Sequence, residues 1–77
     1  MSTGSTENLV KMANQIGSFF ETMQNREVAL NDIAGHIRKY WAPTMRRALL
    51  AHIAKDGGGD LKPMVLEAIN AHQTELG

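Results

Sequence analysis

His36-Ile37-Arg38-Lys39-Tyr40-Trp41-Ala42-Pro43-Thr44-Met45-Arg46-Arg47 decides how this chain folds. Pro43 lacks a backbone N–H and pushes Ala42 out of the α region. One helix must therefore close at Trp41–Ala42, and the next can open on Pro43, where the missing donor costs nothing. The same stretch holds the only Trp and the only Tyr of the chain, and its charged residues (Arg38, Lys39, Arg46, Arg47) are all positive. A joint that gathers aromatic area and basic charge is suited to fixing a fold, a contact with another molecule, or both.

Working upstream, Asn25 is placed to cap a second helix from Arg26 to Trp41, whose apolar stripe is Leu30, Ile33, Ala34, Ile37 and Trp41. Before it, Leu9, Met12, Ala13, Ile16, Phe20 and Met23 fall within one stripe about 100° wide, which predicts a first helix from Glu7 to Met23. Thr6 is its expected N-cap, and residues 1–6 are expected to form a flexible tail. Gly17 inside that helix costs roughly 1 kcal/mol against Ala; either it permits a close helix approach or it is simply tolerated. Downstream, a third helix runs from Pro43 to Lys55 and stops at Asp56-Gly57-Gly58-Gly59. Asp60 is the expected cap of a fourth, with Pro63 in its first turn, Leu61, Val65, Ala68 and Ile69 facing inward, and a frayed end near Leu76. No segment alternates with period two. The expected fold is all-α: a small four-helix domain with short loops, one unit over residues 7–76.

Composition narrows the function. A chain of 77 residues buries only roughly 60% of its extended-state surface, so a partner would add usefully to its stability. The chain has no Cys, which excludes disulfides and thiolate metal sites and suits a reducing cytoplasm, the expected location. Eight basic residues balance eight acidic ones, without the basic excess usual in a nucleic-acid binder. No apolar run approaches the roughly 20 residues needed to cross a bilayer.

Catalytic chemistry has little support. His36, His52 and His72 lie on three different predicted helices, so no i, i+4 histidine pair exists and no metal site is expected. Ser2, Ser5 and Ser18 have no strained elbow around them. Gly57-Gly58-Gly59 follows a helix and lacks the Lys-Ser/Thr of a phosphate loop, so no cofactor site and no catalytic residue is assigned. Two features remain. Arg46 falls in the apolar direction of the third helix, beside Met45 and Leu49, a costly place for a cation unless an acceptor receives it. Either it pairs inside the domain, with Glu21, Glu27 or Asp32 as possible partners, or it meets an external group. The aromatics divide: Phe20 and Trp41 lie on the stripes and should be core, whereas Phe19 and Tyr40 lie on their edges, as rim residues or as an interface.

Two segments resemble the delta subunit of the soluble, NAD-dependent, molybdenum-containing formate dehydrogenases. They are Leu9-Val10-Lys11-Met12-Ala13-Asn14-Gln15-Ile16-Gly17-Ser18-Phe19-Phe20 and the joint quoted above, continued through Leu49-Leu50-Ala51-His52. The likeness extends from Leu9 to Ile69. It implies a non-catalytic accessory subunit that docks on a large alpha subunit, and through it on beta and gamma subunits, supporting assembly or stability of the complex and loading of its cofactor. Molybdenum cofactor, iron–sulfur clusters and flavin would belong to those partners, with none on this chain. Asn14, Gln15, Phe19, Tyr40, Arg46 and Arg47 are the expected partner contacts: amides for exposed backbone groups, aromatics for desolvated area, arginines for carboxylates or a phosphate. The chain departs from the family pattern around the proline, where Ala42 and Thr44 replace an acidic and a basic residue, which weakens the cap of the third helix and removes a possible ion pair. The alternative is a helix-turn-helix-like DNA-binding regulator, suggested by the tight turn and the basic start of the third helix.

Overall fold

The computed structural model describes residues 3–76, with side chains from residue 6 onward. It contains α1 (Thr3–Phe20), α2 (Arg26–Tyr40), α3 (Pro43–Asp56), α4 (Pro63–Ala71) and a single-turn α5 (Gln73–Leu76), and no strand among the described residues. The expected all-α architecture of four main helices is what forms.

The punctuation residues act as their chemistry dictates. The Asn25 side-chain oxygen accepts from the Val28 N–H at 3.1 Å and caps α2. Trp41 closes that helix in an extended conformation, and α3 starts on Pro43 behind Ala42, which supplies no side-chain cap. Gly57 ends α3 in the left-handed region, at φ 83°, where a Cβ would be strained.

Several boundaries differ from expectation. Helix α1 begins at Thr3, so Thr6 lies inside it and residues 3–6 are helical; Met1 and Ser2, the rest of the expected tail, lie outside the described residues. Asp60 does not cap α4, which opens on Pro63 behind Lys62. Its carboxylate instead lies 3.0 Å from His52 Nε2, a tertiary contact that displaces the local capping role. The chain end is not frayed at Leu76, which is 2% exposed and belongs to the core.

Helix α2 packs on α1 and α4, α1 also meets α3 and α4, and α5 closes against α2, α3 and α4. Ile33, Ile37, Leu49, Val65, Ile69 and Leu76 are the large fully buried side chains between them, each contributing about 2 kcal/mol relative to exposure. Ala13, Ala29 and Ala68 are completely buried and let the helix axes approach. On α1 the buried arc is displaced from the expected stripe. Val10 and Gly17 are buried, Ile16 and Phe20 are half-buried, and Met12 and Met23 are exposed. The cause is packing against three other helices, which turns α1 toward α3 and α4 and leaves its Met12 flank uncovered. Met23 lies beyond the end of α1 altogether.

Candidate partner-binding face

The uncovered flank of α1 and the C-terminal half of α2 enclose an open groove of about 350 Å³, lined by Met12, Gln15, Ile16, Phe19, Phe20, His36 and Trp41. Consecutive residues on a helix point about 100° apart, so when Phe20 turns toward the core edge, Phe19 must point outward. Phe19 is 73% exposed and meets Phe20 edge-to-face, with ring centroids 5.0 Å apart. On α2, His36 and Tyr40 are one turn apart and their rings lie 4.8 Å from each other. His36 lies 6.4 Å from Phe20, so the two helices share a continuous row, Phe19–Phe20–His36–Tyr40. Tyr40, the last residue of α2, is 70% exposed, whereas Trp41 beneath it is buried. Two large aromatics held in solvent around an apolar groove are a more informative exposure than a scattered exposed Leu.

A second shallow groove continues from the first past His36, and Asp32, Arg38, Lys39 and Tyr40 line it. Neither Arg38 nor Lys39 enters an ion pair among the described residues.

Of the six expected contacts, the structure brings Gln15, Phe19 and Tyr40 to this face and sends the others elsewhere. Arg47 is exposed on α3 and is not among the residues lining the groove. Asn14 is turned inward: its Nδ2 donates to the Asp60 carbonyl at 3.1 Å and its Oδ1 accepts from the Lys62 N–H at 2.8 Å. Both amide ends are thus engaged with the α3–α4 loop, and an Asn14→Ala variant should lose about 1–2 kcal/mol of stability, measured by urea denaturation, with partner affinity unchanged.

Arg46 resolves to the internal alternative, though with none of the carboxylates considered. Its Nε donates to the Leu76 carbonyl at 3.1 Å, and its Nη1 donates to the Arg38 and Trp41 carbonyls at 2.8 and 3.2 Å. Glu21 pairs instead with Lys62 at 3.5 Å. The helix-turn-helix alternative thereby has one of the two arginines at the start of α3 engaged with the backbone.

The groove-lining residues outside the expected set are Met12, Ile16, Phe20, His36 and Trp41. A signal for two of them was available: Met12 lies two turns before Phe19 and His36 one turn before Tyr40, so each shares a helix side with an aromatic already singled out.

The histidines do not assemble with one another. His52 Nε2 lies 3.0 Å from Asp60 and 3.9 Å from Asp56, one turn on, and the donor atoms of the three residues fall within 4.8 Å of one another. No i, i+4 histidine pair marks this mixed set in the sequence. Its nitrogen and carboxylate oxygens are of the types that take divalent cations, yet both carboxylates are exposed and the His52–Asp60 contact already ties α3 to the following loop. His72 lies within hydrogen-bonding distance of Glu75 and Asn31, at 3.0 and 2.9 Å, and so pins the α4–α5 break to α2.

No described helix is long and apolar enough to cross a membrane. Compared with known proteins, residues 8–69 match the family model described as the NADH-dependent formate dehydrogenase delta subunit, FdsD. No curated protein and no solved structure matches.

Proposed function

Because the chain belongs to the family of formate dehydrogenase delta subunits, we propose that it is a non-catalytic accessory subunit that docks on the large alpha subunit in the cytoplasm and supports assembly or stability of the complex. The observation that carries this reading is the aromatic face, where Phe19 and Tyr40 stand in solvent around a groove that nothing in the domain fills. An isolated small domain gains nothing from exposing such area, whereas a subunit loses that cost on docking. The chain offers no thiolate for an iron–sulfur cluster, so any such cluster of the complex would be held by its partners. Through the alpha subunit it would also support the beta and gamma subunits and the loading of the molybdenum cofactor.

Co-expression tests the proposal. The alpha, beta and gamma subunits, produced with and without this chain, are expected to differ several-fold in yield of intact, metal-loaded complex, and the chain should co-elute with the alpha subunit. Equal yield and no co-elution would remove the reading.

A further inference from the structure

We propose that the groove between α1 and α2 receives an apolar side chain from a segment of the partner protein that carries carboxylates beside it, and that Arg38 and Lys39 receive those carboxylates. This rests on the reading that the chain docks on a larger subunit, and it specifies what that subunit must present.

The apolar half of the argument is the lining. Met12, Ile16, Phe20 and Trp41 supply its walls, and Phe19 and Tyr40 rise at its sides with most of their rings in solvent. At about 350 Å³ the groove is at the lower end of small-ligand sites, roughly 300–1,000 Å³, a size that suits one or two inserted side chains. Aromatics flanking a pocket that becomes fully desolvated are the residues that dominate association energies.

The charged half is the adjoining groove. Arg38 and Lys39 line it against the single carboxylate of Asp32, and both cations lack an ion pair among the described residues. Two other cations do pair, Arg26 with Glu67 and Lys62 with Glu21, whereas Lys11, Arg47 and Lys55 also enter no ion pair among the described residues; what sets Arg38 and Lys39 apart is their place beside the apolar groove. Every Lys, Arg, Asp or Glu from residue 33 to residue 54 is positive, so no acidic neighbour in that span offsets the pair. A basic segment would be repelled here, and an acidic one steered in. A second copy fits poorly, because a two-fold contact through this face would set Arg38 and Lys39 against their own equivalents. A nucleic acid would find the apolar groove empty of use to its phosphates.

The test is a titration of the purified alpha subunit with wild-type chain and surface variants, at low and high salt. Phe19→Ala and Tyr40→Ala are each expected to weaken binding about tenfold or more. The double variant Arg38→Glu/Lys39→Glu should slow association and abolish its salt dependence. Lys55→Glu, an equal charge change per residue on exposed α3, should leave affinity within about twofold. All five positions are exposed, so circular dichroism should show unchanged helix content. A wild-type chain that does not bind the alpha subunit at all removes the docking reading itself. Binding that survives the groove variants undiminished leaves docking intact and overturns this assignment, as does wild-type chain that partitions onto anionic phosphatidylserine vesicles in preference to the subunit.

Discussion

An Arg46→Met variant is expected to melt roughly 15 °C below the wild-type protein. The side chain lies in the first turns of α3, but its guanidinium is the C-terminal cap of two other helices. The last carbonyls of any α-helix have no partner within it. Here Arg38 and Trp41 at the end of α2, and Leu76 at the end of α5, give their carbonyls to one cation. The placement also sets a positive charge at the negative ends of those helices. Methionine keeps the length and helix propensity and removes every donor, leaving part-buried carbonyls without a partner. Hydrogen bonds from a charged donor contribute about 1.5–3 kcal/mol each, with the exposed one at or below that range. A combined loss of about 3 kcal/mol follows, against a total stability of roughly 4–12 kcal/mol for a domain of this size. Each kcal/mol moves the midpoint of a small domain by roughly 4–8 °C. Arg46→Lys should recover about half of the loss, since one compact ammonium cannot reach the carbonyls of both the α2 end and Leu76 as the planar guanidinium does. The exposed neighbour Arg47→Met should change stability by less than about 0.5 kcal/mol. Calorimetry that placed Arg46→Met within about 3 °C of wild type would show that the carbonyl bonds do not hold the joint.

That joint shows which features of the fold were legible in the sequence. The helices were, because their signals are local: a period of 3.6, Asn25 before α2, Pro43 at the head of α3 and Gly57 at its end. The exposure of Phe19 and Tyr40 was foreshadowed by their place on the edges of two stripes. The destinations of Arg46 and Asn14 were not, because their partners are all backbone groups, which no sequence pattern marks. Reading side-chain charges alone nominated Glu21, Glu27 and Asp32 for Arg46, and an amide on a helix flank looked free for a partner. Asp60 failed for the related reason that a capping residue and a partner for a distant His52 have the same chemistry, and only the tertiary fold chooses. Leu76 was misjudged because one apolar residue near a terminus forms no stripe, yet it fills the space among α2, α3 and α4.

Gly17 and Gly35 sit inside helices of the same domain, and alanine at the two should act in opposite directions. In both cases alanine gains roughly 1 kcal/mol of helix propensity. A Cβ at Gly35 meets nothing within 4 Å, so Gly35→Ala should stabilise the protein by nearly that amount. At Gly17 the added atom would overlap Val65 Cγ2 and crowd Lys62 Cδ at 3.3 Å. The lysine stem can swing away. Val65 cannot, because its β-branched side chain has one favoured rotamer in a helix and is completely buried. Helices α1 and α4 must then separate, and overpacking of this kind costs about 1–3 kcal/mol. Gly17→Ala is therefore expected to be net destabilising by up to about 2 kcal/mol, and Gly17→Val, with two further methyls at the contact, by about 3 kcal/mol or more. Chemical denaturation of the three variants checks both signs at once. A Gly17→Ala protein more stable than wild type would mean that the close approach of α1 to α4 is absent in solution and that the glycine there was only tolerated.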